Sequence, residues 1–481
     1  MRVSGERRVV VCGAGLAAEA VVTALSARLG PEREVVFVDG GAAPASDLFY
    51  GTAAGPDAGA FHDQVGLTEA ALLMSTNASF SWGTRYAGWG GRGRSWTQCH
   101  HLPLQDVDGV GLQHFLTRLG DVPLDALLVT ARAAERGVFA HPPGPPDTPL
   151  SRAEYGYQFD PFGLSGAFRS AREAGRVRHV EAAIDGVETG DDGVAAIVLS
   201  TGERLTGGLY VDATGPDALL LSRLGASRRG RGVSVRLTSR LTRTQALGPP
   251  RRDLRAAPCG WTSTTYLRTG PLEVALSCVD EAGDAHPPDR AATAVLGRVE
   301  APWVGNCVGV GHAASVVDPL TTAPLTLLYR DVQRLLSLVP LGADHAVERR
   351  EYARRFGEDA AHAAAFHGAF FELPDAPDTP YWRAGRAAGG ARRAHKLAQY
   401  EGRGVLVSYD LEPYKAEDWL ILHEGVGRTP RRYDRLTDRA PEAAVRARFE
   451  GLRRGIEALV SRMPPHDRYV ARYLDYLERK G

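Results

Sequence analysis

Two short hydrophobic runs stand out near the start of the chain. Residues 9–11 and 35–38 are all valine or phenylalanine, a composition typical of strands that are buried on both faces. Small and apolar residues with helical spacing lie between the two runs. The order strand, helix, strand predicts the parallel unit of an α/β fold.

A glycine-rich turn joins the first run to the helix, and it reads Gly-Ala-Gly-Leu-Ala-Ala. Gly13 permits a tight turn, Gly15 lets the backbone approach a pyrophosphate, and small Ala18 lets the helix pack on the strand. An acid at the end of the second run can hold a ribose hydroxyl. We therefore predict a dinucleotide site formed by Gly13, Gly15, Leu16, Ala17, Ala18 and Asp39.

The next segments are a predicted loop and a predicted aromatic strand. Residues 42–65 are rich in Gly, Ala, Pro and Asp, which favours a mobile loop beside a cofactor, as a lid or as a passive surface loop. Residues 77–89 alternate β-branched and aromatic residues, which predicts a strand. Its aromatic side chains fit either a core or a substrate wall.

The middle of the chain predicts a helix over residues 159–176 and then a β-meander. The strand-like runs of this meander are residues 177–187, 194–200 and 209–211. The last run enters Asp212 to Gly215, the strand-to-glycine order that also opens the chain. We interpret it as a second backbone approach to the dinucleotide, with an ordinary sheet turn as the alternative.

A second stretch of small residues occupies positions 303–315 and leads through Asp318 and Pro319 to a predicted helix that begins near Pro324. Small residues here would let a flavin ring and its ribityl chain lie against the backbone. Two further helical patterns, over residues 344–371 and 441–477, predict amphipathic helices in the C-terminal part.

Composition narrows the class of protein. The 481 residues include 57 basic and 57 acidic side chains, a balance that gives no reason to expect nucleic acid or an anionic membrane as partner. The first residues lead directly into a strand and no apolar stretch is long enough for a bilayer, so we expect a cytoplasmic small-molecule protein. The five cysteines lack a C-x-x-C pair and predict buried thiols. Adjacent His100 and His101 have no further ligand at useful spacing, so no metal site is expected.

Residues 13–18, 212–215 and 305–319 have the order and spacing of FAD monooxygenase-type flavoproteins. Within that group the chain resembles the flavin-dependent tryptophan halogenases, through motifs that follow one another along nearly its whole length. Segments similar to motifs of that family are residues 80–89 (Phe-Lys to Phe-x-x-Trp), 159–160 (His-Phe-Asp), 303–319 (Trp-x-x-Asn-Cys to Glu-Pro-Leu), 378–382 (Asp-Thr-Pro-Phe-Trp) and 419–427 (Trp to Gly-x-Gly).

The resemblance implies an α/β fold with an FAD-binding Rossmann-like module of the glutathione-reductase and hydroxybenzoate-hydroxylase type. Residues 1–340 are assigned to this module, with an inserted mixed β-sheet at about 75–155 and 230–300, and residues 341–481 to a mainly helical lobe that covers the substrate. The resemblance adds Asp212, Gly215, Gly311, Asp318, Pro319, Leu320, Thr322 and Ala323 to the FAD site. It places the aromatic residues Trp82, Tyr86, Trp89, Trp261, Phe371, Tyr381 and Trp382 at the substrate, although a packed core would give the same pattern.

The resemblance also implies a chemistry from which this chain departs. In that family, reduced FAD from a separate reductase reacts with O2, and halide attack gives a hypohalous acid that reaches a lysine facing an aromatic substrate, assisted by a glutamate. Here Ser81 stands at the lysine position and Thr321 at the glutamate position, while Pro324 lacks an amide N–H expected to hold the halide. Ser263 replaces a tryptophan thought to separate substrate from flavin. No lysine precedes Lys396, so we expect no replacement nearby.

The leading hypothesis is therefore an FAD-dependent monooxygenase or oxidase that does not halogenate and acts on an aromatic or amine-bearing small molecule in natural-product biosynthesis. A halogenase with a lysine-free route and a non-catalytic flavin- or ligand-binding protein are the alternatives. The candidate catalytic residues are His312, His100, His101, Ser81 and Thr321, with a structural role for His312 an equal alternative. A flavin reductase is the expected partner, the substrate is free or carrier-tethered, and a homodimer is compatible with the sequence.

Overall fold

The computed structural model describes residues 7–90, 93–101, 104, 106–143, 148–172, 175–279, 287–340 and 345–480, with residues 231 and 232 described by their backbone only. Twenty strands are described, numbered along the chain: β1 (Arg8–Gly13), β2 (Glu34–Asp39), β3 (Ala53–Ala54), β4 (Ser79–Ser81), β5 (Gly83–Ala87), β6 (Ser95–Cys99), β7 (Gly156–Gln158), β8 (Val177–Glu181), β9 (Ile184–Gly190), β10 (Gly193–Leu199), β11 (Arg204–Leu205), β12 (Leu209–Ala213), β13 (Arg228–Leu241), β14 (Arg252–Ala257), β15 (Gly260–Leu267), β16 (Gly270–Cys278), β17 (Arg290–Val299), β18 (Trp303–Val304), β19 (Cys307–Gly309) and β20 (Ser315–Val316).

Fourteen α-helices accompany the strands in the described residues: α1 (Gly15–Arg28), α2 (Asp57–Gln64), α3 (Glu69–Ser75), α4 (Leu112–Leu119), α5 (Val129–Arg136), α6 (Pro161–Ala171), α7 (Leu219–Arg223), α8 (Ala323–Ser337), α9 (Ala346–Ala369), α10 (Pro380–Ala387), α11 (Gly390–Arg403), α12 (Ala416–Gly425), α13 (Glu442–Val460) and α14 (His466–Lys480). Short 3-10 helices include Ala45–Tyr50. Among the described helices, none combines the length and the apolarity that crossing a bilayer would require.

A six-stranded sheet with the order β18-β19-β12-β1-β2-β8 forms the centre of the fold. The strands β8, β2, β1, β12 and β19 run parallel to their neighbours. The predicted valine-rich runs are β1 and β2, buried because α1 and α6 pack together beside the sheet. The sequence-based prediction of a parallel α/β unit is thus confirmed, and all five cysteines are buried.

The predicted meander over residues 177–211 is confirmed for the pairing of its first run with its second and is wrong for the rest. Its first run divides into β8, which pairs in parallel with β2, and β9, which forms an antiparallel hairpin with β10. Its last run, β12, joins the central sheet beside β1. Strand-like patterns alone do not distinguish a hairpin partner from a strand that crosses to another sheet, because both have the same period.

An eight-stranded sheet with the order β20-β17-β13-β16-β15-β14-β5-β6 packs beside the central sheet and is antiparallel except for the pair β14 and β5. The strand predicted over residues 77–89 is divided between two sheets. Trp82 interrupts it, since its amide donates to Pro250 and the next residue, Gly83, has φ 147°. A Cβ at Gly83 would lie 2.2 Å from the carbonyl oxygen of Gln98, so only glycine allows this close turn.

The mobile loop predicted for residues 42–65 is also wrong. This segment contains the 3-10 helix Ala45–Tyr50, the strand β3 and the helix α2. Leu48, Phe49 and Tyr50 are at most 2% exposed. Three consecutive large apolar side chains outweigh the loop-forming composition around them, because burying each one stabilises the fold by about 1.5–3 kcal/mol.

The C-terminal part contains mainly helices, as the patterns predict, although α13 and α14 divide the single stretch predicted over residues 441–477. Position 344 of the predicted helix 344–371 lies outside the described residues, and α9 runs from Ala346 to Ala369, two residues short of the predicted end. A buried ion network joins α9 to α8. Arg334 donates to Asp331 at 2.8 Å and to Asp359, and its side chain is 3% exposed.

We expect Arg334→Met to lower the free energy of unfolding by about 3–5 kcal/mol, because it leaves the buried Asp331 carboxylate without its cation and leaves Asp359 with Arg330 alone. Urea denaturation at neutral pH measures this loss. The matched control is Arg354→Met, which removes a 55% exposed arginine that pairs with Glu351 on the same helix, and it should leave stability unchanged. Equal effects of the two substitutions would contradict this account of the network.

Candidate active site

The carboxyl ends of the central strands bring the predicted dinucleotide residues together. In the register of the sheet, Gly13 lies opposite Asp39 on one side and Ala213 on the other. Gly13 has φ 148°, and a Cβ there would lie 2.2 Å from the carbonyl oxygen of Ala213. The turn between β1 and α1 and the turn after β12 therefore meet at one edge, which is the cradle that the sequence predicts.

A carboxylate occupies the N-terminus of α1 in this cradle. Asp47, in the 3-10 helix Ala45–Tyr50, accepts a hydrogen bond from the backbone N–H of Leu16 through Oδ2 at 2.8 Å. A Cβ at Gly15 would lie 2.2 Å from that same oxygen. Asp47 is 2% exposed, and burial raises its pKa to about 7 although the hydrogen bond from Leu16 opposes the shift. The carboxylate stands where a pyrophosphate binds in dinucleotide cradles.

Tyr50 fills the other end of the cradle beside His312. The two rings stack with centroids 3.7 Å apart, and the Tyr50 hydroxyl accepts the backbone N–H of His312 at 3.1 Å. A Cβ at Gly311 would lie 2.3 Å from that hydroxyl. Burial, with a smaller effect of nearby Arg228, lowers the pKa of His312 to about 3. His312 is therefore neutral at pH 7 and packed in the core.

The acids predicted for the cofactor also have partners within the chain. Asp39 accepts the N–H of Gly41 at 2.9 Å and lies 3.0 Å from Nε2 of His179. Asp212 accepts the N–H groups of Leu220 and Leu221 at 2.9 Å and so caps α7. Their roles toward a cofactor stay predictions.

Asp318 joins the central cradle to the aromatic core. Its carboxylate accepts hydrogen bonds from the indole N–H of Trp261 at 3.0 Å and from the Tyr381 hydroxyl at 2.7 Å. Arg252 donates to the carbonyl of the next residue, Pro319, at 2.8 Å and lies over the Trp261 ring. Asp318 and Pro319 thus hold the start of α8 in place, together with Leu320, whose carbonyl accepts the Tyr86 hydroxyl at 2.8 Å.

Most of the aromatic residues predicted at the substrate lie in a packed core. The indole N–H groups of Trp82, Trp89 and Trp382 all donate to backbone carbonyls, and these residues are at most 2% exposed. Phe371 packs edge-on against Trp89 and Trp382. By contrast, Tyr86 lines a cavity of about 310 Å³.

This cavity, which we call the polar cavity, lies between β5, β6, α2, α8 and α12. Predicted residues that line it are Tyr86, His100, His101, Thr321 and Thr322. Burial, with a smaller effect of the Lys415 charge, lowers the pKa of His100 to about 4, so this ring is neutral at pH 7. Ser81, in contrast, is 1% exposed, and its hydroxyl bonds within its own turn to the backbone of Gly83 at 3.2 Å.

Charged residues that the sequence analysis missed also line the polar cavity. They are Asp57, Glu154, Arg330, Lys415 and Asp418. Burial raises the pKa of Asp57, and it raises that of Asp418 to about 7. Lys415 donates to both oxygens of Glu154, at 2.8 and 3.0 Å. Lys415 and Thr321 line the same cavity, whereas Ser81 does not line it, so the expectation that no lysine replaces the one absent at Ser81 stays a prediction.

No motif marks these charged residues, because they come from four distant parts of the chain. One signal was present in the composition: the chain has only three lysines, and one of them is Lys415. The remaining altered positions do not line the polar cavity. Pro324 is buried in the first turn of α8, and the Ser263 hydroxyl is buried without a hydrogen-bond partner among the described residues.

Comparison with known proteins identifies the family. The family model of tryptophan halogenase matches residues 8–230 and 272–442. Tryptophan 7-halogenase KtzQ from Kutzneria sp. (strain 744) is 24% identical, over 97% of this chain and 98% of KtzQ. Tryptophan 7-halogenase RebH from Lentzea aerocolonigenes is also 24% identical, over 68% of this chain and 69% of RebH. The chain therefore belongs to the tryptophan halogenase family.

Solved structures show the same fold. BrvH, a flavin-dependent halogenase from Brevundimonas sp. BAL3, matches with a TM-score of 0.88 and 24% identity over 97% of this chain and 98% of BrvH. Xcc4156, a flavin-dependent halogenase from Xanthomonas campestris, matches with a TM-score of 0.86 and 25% identity over 97% and 98% of the two chains. The predicted FAD-binding α/β fold with a helical C-terminal part is confirmed.

Flavin-dependent halogenases use FAD and O2, and a separate reductase supplies the reduced flavin. The backbone of the cradle has the form that FAD needs, with positive φ at Gly13, Gly15 and Gly311. The side chains do not leave room for it, since Asp47 holds the α1 amide and Tyr50 lies on His312. FAD therefore does not fit the cradle in the conformation of this structure.

The raised pKa of Asp47 predicts a specific pH dependence of stability. The folded state binds this proton up to about pH 7, whereas the unfolded chain releases it near pH 4, so wild-type stability falls by up to about 1.4 kcal/mol per pH unit between these values. Asp47→Asn cannot titrate. We expect its unfolding free energy, measured with urea from about pH 5 to pH 8, to rise relative to wild type as the pH increases. Parallel curves would contradict the assignment.

Proposed function

We propose that this chain is an oxidoreductase of the tryptophan halogenase family that acts on an amine-bearing aromatic small molecule in the polar cavity, as a monooxygenase or an oxidase in natural-product biosynthesis. The proposal assigns substrate binding to the cavity walls and assigns no halogenating role to Ser81. It rests on one observation above all, the balance of charge in the cavity.

Two carboxylates of the polar cavity lack a full counter-charge. The cations that line it are already paired, Lys415 with Glu154 and Arg330 with Asp359 at 2.6 Å. Burial raises the pKa of Asp57 and of Asp418, because a group removed from water is less stable in its ionised form. An ammonium group placed between them would stabilise both ionised carboxylates by charge-assisted hydrogen bonds.

Aromatic side chains of the cavity supply the complementary apolar surface. Phe366 stacks on Tyr414 with ring centroids 4.1 Å apart, and both residues line the cavity together with Tyr86. Because Arg330 and Lys415 are engaged by acids of the chain, the cavity offers little to a substrate carboxylate. This pattern favours an arylalkylamine over an aromatic amino acid.

Tryptamine and indole-3-propionate test this preference, since they share an indole and differ in the charge of the side chain. We expect tryptamine to bind about tenfold or more tightly in isothermal titration calorimetry at neutral pH. Asp418→Asn should reduce the preference severalfold. The matched control is Asp125→Asn, which removes another acid whose pKa burial raises, to about 6, outside the polar cavity. Tighter binding of indole-3-propionate would refute the proposed substrate class.

Halogenation is the second candidate function, and one observation favours it. Lys415, paired with Glu154, lines the same cavity as Thr321, so an ammonium and a carboxylate are present near the position of the missing glutamate. The relatives KtzQ and RebH are named tryptophan 7-halogenases. In this second candidate function, Lys415 serves as the lysine of the polar cavity, and the lysine-free route stays the alternative.

Product analysis separates the two functions. The protein is supplied with reduced FAD, O2 and tryptamine, with and without bromide, and the products are identified by mass spectrometry. A hydroxylated or dehydrogenated product that forms equally without bromide supports the oxidoreductase. A brominated product that disappears in Lys415→Met, but persists in the control Lys480→Met at the far end of α14, supports the halogenase and refutes the first proposal.

A further inference from the structure

The 3-10 helix Ala45–Tyr50 supplies hydrogen-bond acceptors to backbone N–H groups of the cradle. In a dinucleotide cradle, the bound ligand supplies such acceptors. The N–H of Leu16, in the first turn of α1, has no acceptor within its own helix. It donates to Asp47 at 2.8 Å, in the buried interior. An acidic side chain at a helix N-terminus interacts favourably with the helix dipole, as a phosphate does.

The remainder of the helix closes the cradle along its length. The Ser46 hydroxyl would lie 3.7 Å from a Cβ at Gly215, and the Tyr50 hydroxyl would lie 2.3 Å from one at Gly311. Tyr50 stacks on His312, and Phe49 approaches the same ring edge-on with centroids 6.3 Å apart. Two of the three backbone stations that the sequence assigns to the cofactor thus form hydrogen bonds with this one helix, and Ser46 of the helix lies near the third, at Gly215.

One glycine lies four positions before the helix and another directly after it. Gly41 before it is exposed with φ 102°, and Gly51 after it has φ 78°. These backbone conformations are accessible to glycine with little strain, so the segment between them can change direction at both ends without breaking a strand or an α-helix. The helix itself packs on β13, β17 and α8.

We propose that the helix Ala45–Tyr50 is an internal competitor of FAD: Asp47 holds the pyrophosphate position and Tyr50 the adjoining position at Gly311, and FAD binds only by displacing them. This inference rests on the proposed function, because it concerns the cofactor that the proposed oxidoreductase needs. The competition is direct, since one N–H donor cannot serve both acceptors. At pH values above its raised pKa of about 7, where Asp47 is ionised, the competition is also electrostatic, since the carboxylate and a pyrophosphate carry charge of the same sign.

The first test needs no cofactor. Hydrogen exchange of the Leu16 amide, followed by NMR or mass spectrometry on the full chain without FAD, reports whether Asp47 occupies the helix end in solution. We expect slow exchange in the wild type and faster exchange in Asp47→Ala. Exchange that is equally fast in both proteins, or equally slow in both, would overturn the proposal.

The second test is FAD affinity, measured by the quenching of flavin fluorescence at neutral pH. Asp47→Ala removes both the competing acceptor and its charge, so we expect FAD to bind about tenfold or more tightly than to the wild type. Asp47→Asn retains an acceptor for Leu16 and removes the charge, so its gain should be smaller. Asp125→Asn, the control used for the polar cavity, should bind FAD as the wild type does.

Two results of this titration would overturn the proposal: tight FAD binding by the wild type that Asp47→Ala leaves unchanged, or no gain in affinity in either Asp47 variant. Neither measurement involves substrate or turnover. Failure of the proposed function, seen as lost amine preference or as a brominated product, would therefore leave these results unchanged. Conversely, if Asp47 does not compete with FAD, the expected preference of the polar cavity for amines is unaffected.

Discussion

The unsatisfied amide groups at the N-terminus of α1 are the constraint on which this structure depends. A buried helix end needs an acceptor, and at the carboxyl edge of a parallel sheet the usual acceptor is a phosphate of a bound ligand. This chain supplies the acceptor itself through Asp47. Phe49 and Tyr50 follow Asp47 in the same short helix and pack against His312. The hydrogen bond to Leu16 and these aromatic contacts together bury the cradle.

The sequence predicted the central part of the fold because its strands are buried on both faces and therefore have a clear signature. The cradle turn, the strands β1 and β2 and the helix α8 all lie where the patterns place them. Pairing partners were harder to predict, since residues 177–187 look like one strand although a turn sends their two halves to different sheets. The composition of residues 42–65 predicted a loop, but three large apolar residues in this segment are buried and the segment forms helices and a strand.

The candidate site was only partly accessible from the sequence, for a physical reason. Residues such as Gly13 and Asp39 belong to a local turn whose chemistry can be recognised within one strand-helix-strand unit. The polar cavity is assembled from residues far apart in the chain, and Glu154 meets Lys415 only after the helical part packs on the sheets. The aromatic residues show the converse difficulty, because Trp89 and Trp382 have the composition of a binding site and the environment of a core. The spacing of residues along the chain indicates local structure and does not predict such long-range contacts.

The filled cradle also bears on how the protein is made. Many cofactor-dependent proteins gain part of their stability by mass action from the ligand, so newly synthesised chains are degraded when the ligand is scarce. Here Asp47, Phe49 and Tyr50 complete the core from within the chain. We therefore expect this region to fold without flavin, because the buried N–H of Leu16 already has an acceptor within the chain.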